Sequence, residues 1–328
     1  MLRLPPHETS FPTSVADAVA LRVAAGTAGA YVAGGTDLYP NMKRRQQEPK
    51  RVIDVRRIPE LSRLEVAADG TLVIGAGVTL NRFLRDARVR SGWPVLAHAA
   101  AEISTPLLQN MGTVGGNLLL DTRCNYYDQG FEWRKAINFC MKKDGETCWV
   151  APSSPRCWAV QSSDLVPVMV ALDARVVLAG PDGERTMPAA ALYHDDGMAF
   201  LTKRPEELLV RVEVPALGGA RASYEKVRRR GAFDFPVLGV AVWASFDGAG
   251  KVTAARIVLG AVGSHPKLAA DAAASLVGGA LDDDQLDEAA RLASKLAKPL
   301  DNTDFTIGWR KDMAPVFVRR ALEALRPA

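Results

Sequence analysis

Four cysteines are the residues whose type and spacing most directly suggest chemistry, because the 328-residue chain has no others and all four lie in one stretch. They are Cys124, Cys140, Cys148 and Cys157, separated by 15, 7 and 8 residues, and none forms a CxxC pair. Four thiolates confined in this way can close two disulfides, bind one Zn²⁺ tetrahedrally or hold an iron–sulfur cluster. The confinement favours a metal site.

The sequence disfavours disulfides and leaves zinc as the alternative to a cluster. The start, MLRLPPHETSF, lacks the apolar region of a signal peptide, so we expect a cytoplasmic protein whose thiols stay reduced. Structural zinc sites usually contain CxxC pairs or histidine ligands, and none of the four histidines lies among the cysteines. The spacing therefore favours a [4Fe-4S] cluster over zinc.

The residues around the cysteines agree with a redox centre. Bulky apolar side chains that would keep water away are Tyr126, Tyr127, Phe131, Trp133, Phe139, Trp149 and Trp158. Nearby basic side chains are Arg134, Lys135, Lys142, Lys143 and Arg156. Their positive charge favours the reduced cluster and offers a basic face to an acidic electron carrier. The alternative interpretation is an ordinary solvated basic loop.

Composition sets the limits for the rest of the chain. With 48% hydrophobic and 24% charged residues and a net charge of +4, the sequence is typical of a globular protein of about two domains. The basic residues are scattered and not striped with aromatic ones, so nucleic acid is not an expected partner. No apolar run reaches the length of a membrane span, so we expect no membrane partner either.

Two glycine loops form the second informative feature. Loop 1 (residues 33–38) contains Gly34-Gly35-Thr36-Asp37 after a short apolar run, and loop 2 (residues 113–117) is Thr113-Val114-Gly115-Gly116-Asn117. Successive glycine amides can surround a phosphate, and the short polar side chains can bind hydroxyl groups. A single double glycine is usually a simple turn, but two of them predict a diphosphate cofactor between subdomains. Neither loop has Rossmann or P-loop spacing.

The periodicity predicts the elements that must position these loops. Ser14 should cap a helix that runs to Ala25, strands should cover residues 30–33, 51–55 and 71–80, and helices residues 80–88 and 94–103. A short helix should follow Asp164, with strands in RVVLAG and ELLVRVEVP. Three further strands, in SYEKVRRR, PVLGVAVWASF and VTAARIVLGAV, should precede helices near residues 266–277, 284–297 and 312–326.

These motifs together resemble the flavoprotein (medium) subunit of the xanthine oxidase family of molybdenum hydroxylases over nearly the whole chain. AGGTDL, VIDV, IGAGVTL, NMGTVGGNLL, SSDLVPVMVALDA and YEKVRRRGAFDFP match family landmarks in order. Most members lack the cysteine insertion. Its presence, opened by DTRCNYYDQ, resembles the β subunit of 4-hydroxybenzoyl-CoA reductase, where the insertion carries a [4Fe-4S] cluster. A periplasmic aldehyde oxidase flavoprotein also carries a cluster, with a different cysteine spacing.

The resemblance implies an α+β fold of the vanillyl-alcohol-oxidase, or PCMH, type. Two α/β subdomains, about 1–58 and 59–218, would form an FAD-binding domain over residues 1–218, with the iron–sulfur insertion at about 122–160. A C-terminal α+β domain like that of the CO dehydrogenase flavoprotein would occupy residues 219–328. The composition change near Leu217-Gly218-Gly219 agrees with a boundary there.

The resemblance also implies site residues. Matching the family's FAD-diphosphate loops are Ala33, Gly34, Gly35, Thr36, Asp37, Leu38, Thr113, Val114, Gly115, Gly116 and Asn117, and matching residues near the flavin are Asp164 and Lys226. The four cysteines would be the cluster ligands. From the residues alone, Asp164 could equally be a helix N-cap, and Lys226 could lie on a solvated strand face. Asp121 and Arg123 could orient the insertion. No catalytic residue is expected.

The function implied is electron transfer in an oxidoreductase complex. FAD and the cluster would relay electrons between a ferredoxin-like carrier and two partner subunits, a small one with [2Fe-2S] clusters and a large one with molybdopterin. These would form a heterotrimer, with or without further dimerisation. The primary interpretation is a 4-hydroxybenzoyl-CoA reductase-like complex in aromatic degradation. The alternatives are the same subunit of an oxidative hydroxylase for an aldehyde, purine or other aromatic, and a non-enzymatic zinc-containing scaffold.

Because both glycine loops lie outside the cysteine insertion, the sequence also predicts that the two cofactor sites are independent. On this view Cys140→Ser should remove the cluster and leave FAD largely bound.

Overall fold

The computed structural model describes residues 2–231 and 233–326 and contains three β-sheets with helices packed against them. The first two sheets and their helices hold both glycine loops, and the third sheet belongs to the C-terminal part of the chain. The cysteine insertion (residues 122–160) leaves the second of these units and returns to it.

The N-terminal unit is a small parallel sheet. Its elements are β1 (Glu8–Ser10), α1 (Val15–Ala25), β2 (Gly29–Val32), α2 (Leu38–Lys43) and β3 (Arg51–Asp54), with strand order β1-β3-β2. The Ser14 hydroxyl accepts the Asp17 N–H at 3.1 Å, so the predicted cap and helix are confirmed. Strand β2 runs directly into loop 1, which then opens α2.

The second unit is a five-stranded antiparallel sheet in the order β4-β5-β8-β6-β7. Its strands are β4 (Leu64–Val66), β5 (Leu72–Gly75), β6 (Arg175–Gly180), β7 (Gly183–Pro188) and β8 (Leu208–Val214). Between β5 and β6 lie α3 (Leu80–Arg85), α4 (Ala87–Gly92), α5 (Pro94–Ala101), α6 (Pro106–Gln109), α7 (Val114–Leu118), α8 (Phe131–Ala136) and α9 (Leu165–Ala171). Helix α8 belongs to the cysteine insertion, and α7 begins in loop 2.

The predicted strand over residues 71–80 is shorter in the structure and ends at Gly75. The backbone there turns against the segment before β4, because the Gly75 N–H donates to the Arg63 carbonyl at 2.7 Å. A side chain at Gly75 would place its Cβ 2.4 Å from the Leu61 carbonyl oxygen. The residues that the prediction assigned to a strand, 76–79, instead form the surface on which loop 2 packs.

The C-terminal unit is a four-stranded antiparallel sheet covered by helices. Its elements are β9 (Arg221–Val227), β10 (Leu238–Phe246), β11 (Val252–Gly260), β12 (Lys267–Leu268), α10 (Ala270–Ala274), α11 (Asp283–Ser294) and α12 (Ile307–Glu323), in the strand order β12-β11-β10-β9. The three predicted strands are present, and β12 adds a short fourth. A separate apolar core fills the space between this sheet and its helices.

Candidate functional site

A cleft of about 710 Å³ opens where the two glycine loops meet. Predicted cofactor-binding residues that line it are Ala33, Gly34, Gly35, Thr36, Asp37, Leu38, Thr113, Gly115, Gly116, Asn117 and Asp164. The cleft is also lined by Phe233, Asp234 and Phe235 from the connection between β9 and β10. Its volume lies in the range of sites that bind cofactors and other small molecules.

Two predicted residues lie outside the cleft lining. Val114 is fully buried, and its side chain belongs to the main apolar core. Lys226 lies on β9, where its side chain is 2% exposed. The structure therefore places Val114 in a packing role and does not place Lys226 on the solvated strand face that its neighbouring arginines suggested.

Loop 1 presents its backbone to the cleft. The N–H groups of residues 34–38 have no protein acceptor within residues 2–231 and 233–326. Gly35 has φ of 70°, in the left-handed region that suits glycine. Gly34 packs against the two residues that precede loop 2, since a Cβ there would lie 1.8 Å from the Met111 carbonyl oxygen. Successive unpaired amides in such a turn form an anion-binding concavity.

Loop 2 differs, because four of its five amides already have protein acceptors. The Val114 and Gly115 N–H groups donate to the carbonyls of Val78 and Ala76, both at 2.9 Å. Thr113 caps α7, and its Oγ1 accepts the Gly116 N–H at 3.0 Å. The expectation that both loops offer free amides to a phosphate is therefore wrong for loop 2, whose amides hold the loop on the turn after β5.

Asn117 at the end of loop 2 joins this region to α9. Its Oδ1 accepts the Ser163 hydroxyl at 2.6 Å and the Leu165 N–H at 3.3 Å. The Ser163 hydroxyl in turn accepts the Val166 N–H at 3.1 Å. Asp164 occupies the N-cap position of this helix, as one interpretation predicted, but its side chain makes no capping hydrogen bond, and the Ser163 hydroxyl accepts the helix N–H instead.

Asp164 and Lys226, 62 residues apart, form a buried ion pair. The Lys226 Nζ lies 2.9 Å from the Asp164 Oδ1, and the Tyr224 hydroxyl donates to the same oxygen at 2.8 Å. Lys226 also donates to the Glu102 carbonyl at 2.8 Å. Burial raises the pKa of the Asp164 carboxyl, and the lysine charge opposes that shift. The pair joins the C-terminal sheet to the floor of the cleft.

The four cysteines converge although they are far apart in the sequence. All four are buried free thiols that line one small cavity, together with Tyr126, Tyr127, Met141, Trp149 and other residues. A β-bridge between Arg123 and Val160 closes the base of the insertion and brings Cys124 near Cys157. The Cys140 carbonyl accepts the N–H groups of Lys143 and Gly145, which fixes a tight turn.

The cysteine cavity is unfavourable for thiolates on their own. Burial raises the pKa of Cys124 to about 12 and that of Cys157 to about 11. Deprotonated thiols in this cavity therefore need a bound positive charge, which metal ions supply.

The placement of the four cysteine side chains can also be compared with the geometry of a zinc site. A single zinc ion requires thiolate sulfurs at about 2.3 Å from one point. Among the residues that the structure describes, no group of three or more His, Cys, Asp or Glu side chains is placed to hold one metal ion. The four cysteines share one small cavity, but in the described residues they are not placed as the ligand set of a single ion.

Lys142 and Gly197 lie next to the cysteine cavity and pack against it. The Lys142 side chain is 6% exposed and donates to Asp121, to Thr122 and to the Gly197 carbonyl at 2.7 to 2.8 Å. A Cβ on Gly197 would lie 2.8 Å from the Cys157 sulfur. Lys142 is thus a buried structural cation, not part of a solvated basic loop, and sequence reasoning did not find Gly197.

The sequence of this chain is similar to two known protein families over nearly its whole length. Residues 6–217 match the family described as the FAD binding domain in molybdopterin dehydrogenase, and residues 222–325 match the CO dehydrogenase flavoprotein C-terminal domain. The chain belongs to the FAD-binding medium subunits of molybdenum hydroxylases. It is thus an oxidoreductase subunit with an FAD-binding fold.

Relatives of this flavoprotein family cover most of the chain. The carbon monoxide dehydrogenase medium chain of Afipia carboxidovorans is 31% identical over 315 residues, covering 95% of this chain and 94% of the relative. The aldehyde oxidoreductase FAD-binding subunit PaoB of Escherichia coli is 34% identical over 245 residues, covering 72% and 75%. The structure of reconstituted CO dehydrogenase from Oligotropha carboxidovorans matches with a TM-score of 0.82, 28% identity and 98% coverage of both chains.

The cleft fits the FAD that defines this flavoprotein family. Loop 1 supplies unpaired amides that suit a diphosphate, and the cleft is large enough for an extended dinucleotide. Arg44 and Gln47 also line the cleft, and sequence reasoning did not find them because they lie beyond the end of α2 with no glycine or motif to mark them. No helix in residues 2–231 and 233–326 has the length and apolar character that crossing a membrane requires.

Proposed function

We propose that this flavoprotein is the FAD and [4Fe-4S] electron-transfer subunit of an oxidative molybdenum hydroxylase complex. The observation that carries the proposal is the adjacency of the two sites. Asp128 lines the cleft, and its carboxylate accepts the N–H of Cys124 at 3.3 Å. A single residue thus contacts both the flavin cleft and the first cluster ligand.

Loop 1 would hold the FAD diphosphate through the amides of residues 34–38, while Thr113 and Asn117 of loop 2 would contribute side chains. Asp164, paired with Lys226, lines the cleft floor and would orient the flavin end of the cofactor. The buried carboxylate and ammonium neutralise each other and remain fixed. The domain boundary near residue 218 lies where the chain passes from β8 to β9, so this pair would also hold the C-terminal domain against the FAD-binding domain.

Cys124, Cys140, Cys148 and Cys157 would be the four cluster ligands. The proposal is supported by the four thiols being buried and sharing one cavity, and burial raises the pKa of Cys124, Cys140 and Cys157, so a metal centre would supply the positive charge that their thiolates lack. Tyr127 and Trp149 cover the cavity and would limit the access of water.

The chain would relay electrons and would not act on the organic substrate. FAD exchanges electrons singly or in pairs and a [4Fe-4S] cluster exchanges them singly, so the pair converts between two-electron and one-electron carriers. The residues of this chain would bind and orient both groups and exclude water. A large molybdopterin subunit would hold the substrate, a small [2Fe-2S] subunit would carry electrons to this one, and a ferredoxin or similar carrier would receive them.

The oxidative direction is supported by the relatives, which include a carbon monoxide dehydrogenase and an aldehyde oxidoreductase. A second candidate is the reductive 4-hydroxybenzoyl-CoA reductase-like complex, which the cysteine insertion and its 15, 7 and 8 spacing favour. Anaerobic assay of the chain co-purified with its partner subunits separates the two. Dye reduction by an aldehyde, carbon monoxide or a purine supports the oxidative complex. Consumption of 4-hydroxybenzoyl-CoA only with a reduced donor contradicts it.

Cys140→Ser tests the cluster assignment. Removal of one of four buried thiolate ligands should abolish the cluster, so iron and acid-labile sulfide should fall to background. The matched control is Trp149→Phe, which changes a residue of the same cavity that is not a ligand and should keep iron and sulfide at the wild-type content. Iron and sulfide retained by Cys140→Ser at the control level would contradict the ligand assignment.

A further inference from the structure

The cysteine insertion and loop 1 are joined by an arginine at the base of the insertion. Arg123 directly precedes Cys124, and its Nη2 donates to the Asp37 carboxylate in loop 1. The Arg123 side chain is 13% exposed. Its guanidinium also lies 4.5 Å from the ring centroid of Phe235, which lines the cleft from the C-terminal side. One side chain therefore contacts loop 1, the insertion and the third sheet's connecting loop.

The same guanidinium reaches a second carboxylate. The Arg123 Nη1 lies 3.4 Å from the Asp128 Oδ1, and the other Asp128 oxygen accepts the Cys124 N–H. A continuous polar chain thus runs from Asp37 through Arg123 and Asp128 to the backbone of the first cluster ligand. Burial raises the pKa of the Asp37 carboxyl and the arginine charge opposes that shift, so the loop needs its cation in place.

Two more contacts tie the insertion to α2, the helix that loop 1 opens. The fully buried Arg134 donates to the carbonyls of Arg44 and Arg45 at 2.9 and 3.0 Å. The Gln46 side-chain amide donates to the Tyr127 carbonyl. The insertion therefore holds both the start and the end of the segment that presents loop 1 to the cleft.

We propose that Arg123 is a positioning residue that makes FAD binding and cluster binding mutually dependent. This inference rests on the proposed function, because it needs both groups. Cys124, held as a cluster ligand, would fix Arg123 between Asp37 and Asp128, and Arg123 would in turn pre-organise loop 1 for FAD. Without the cluster, FAD binding must also order the contacts that run from Asp37 through Arg123 and Asp128 to Cys124, and this ordering weakens the FAD affinity. Equilibrium linkage requires the effect to be reciprocal. This proposal is the opposite of the independence that the sequence predicts for the two sites, and the same experiment tests both.

The test measures FAD binding to the full chain with and without the cluster. FAD is titrated into deflavinated protein with the cluster reconstituted, and into the same protein with the cluster removed by a chelator under reducing conditions. The readout is the ratio of the two FAD dissociation constants. We expect FAD to bind wild-type protein about fivefold or more tightly when the cluster is present. In Arg123→Met the ratio should approach one, and Arg123→Lys should restore part of it, because one ammonium cannot span both carboxylates as the guanidinium fork does.

The matched control is Arg156→Met, which removes a cation beside Cys157 that is paired with Asp195, outside loop 1. Its ratio should equal that of the wild type. A wild-type ratio near one overturns the proposal, and so does an Arg123→Met variant that binds FAD more weakly in both forms with the ratio unchanged. If Arg123→Met does not fold, the wild-type protein alone still tests the proposal. Coupling requires that bound FAD raise the chelator concentration that removes half of the iron. Preparations that contain no iron or sulfide contradict the proposed function instead, and are recognised before any titration.

Discussion

The two glycine loops look alike in the sequence and differ in the structure. Both contain paired glycines beside threonine and a short polar side chain, and both line the cleft. The amides of loop 1 have no protein acceptor in the described part of the chain, whereas Val114, Gly115 and Gly116 of loop 2 already donate to protein oxygens. The same residue types therefore make an anion-binding turn in one place and a packing contact in the other.

The difference follows from what precedes each loop. Loop 1 follows the parallel strand β2 and opens into the cleft, so its N–H groups point away from the sheet's hydrogen bonds. Loop 2 lies on the turn after β5, whose carbonyls at Ala76 and Val78 accept its amides. Glycine in loop 1 permits a left-handed backbone, and glycine in loop 2 permits close backbone approach. Substitution of Gly35 in loop 1 should therefore affect ligand binding, and substitution of Gly115 in loop 2 should affect stability.

The largest effect is expected for Gly34→Ala, because Gly34 lies where loop 1 contacts the residues just before loop 2. Its new Cβ would lie 1.8 Å from the Met111 carbonyl oxygen and 2.4 Å from the Met111 carbonyl carbon, and backbone must move to admit it. We expect a loss of about 3 kcal/mol in the free energy of unfolding and little bound FAD. Denaturant unfolding and flavin content measure both. The control is Gly92→Ala, where a Cβ meets nothing within 4 Å. Wild-type stability in Gly34→Ala would show that Gly34 does not contact the Met111 backbone as described.

Gly115→Ala should lower the free energy of unfolding without changing the FAD dissociation constant. Its Cβ would lie 2.6 Å from the Ala76 Cβ and 2.7 Å from the Ala76 carbonyl oxygen, so we expect a loss of about 2 kcal/mol in the free energy of unfolding. The folded fraction should bind FAD with an unchanged dissociation constant, because loop 2 does not offer its amides to the ligand. Unfolding curves and flavin titration at low temperature test this. A large loss of FAD affinity at unchanged stability would reverse the roles assigned to the two loops.

Gly35→Ala should show the opposite pattern with a smaller effect. Left-handed backbone costs an alanine about 1 to 2 kcal/mol, so the free loop should relax away from its binding conformation. The FAD dissociation constant should then rise about tenfold, while the unfolding midpoint changes little because the Cβ meets only the movable Tyr39 ring. Flavin titration is the measurement. An unchanged dissociation constant would remove loop 1 from the diphosphate site.

Local patterns predicted much of the fold. Ser14 marked the start of α1, and the alternating apolar residues of the C-terminal part predicted β9, β10 and β11. Strand β7 was not predicted, because GERTMP has no apolar alternation and is a mostly exposed edge strand that pairs with β6. Helix α12 begins at Ile307 and not near residue 312, since its first turn depends on the Thr306 cap.

The sequence predicted most of the residues that line the candidate site, but it did not predict which of them are hydrogen-bonded or paired with each other. Cysteine confinement and glycine pairs identified the segments, and the family resemblance named the cofactor. That Lys226 pairs with Asp164, and Arg123 with Asp37, depends on contacts across 62 and 86 residues, which no local pattern encodes. Side chains that looked like surface charge proved to be buried partners, as with Lys142 and Arg134.

The central claim is that one chain holds FAD and a [4Fe-4S] cluster side by side. The most direct test is a combined determination of flavin, iron, acid-labile sulfide and zinc, with a visible spectrum, on protein purified without oxygen. The account predicts about one FAD, four iron and four sulfide per chain, as the cluster formula requires. FAD with zinc and no sulfide would contradict it, and the cysteine insertion would then be a structural zinc site.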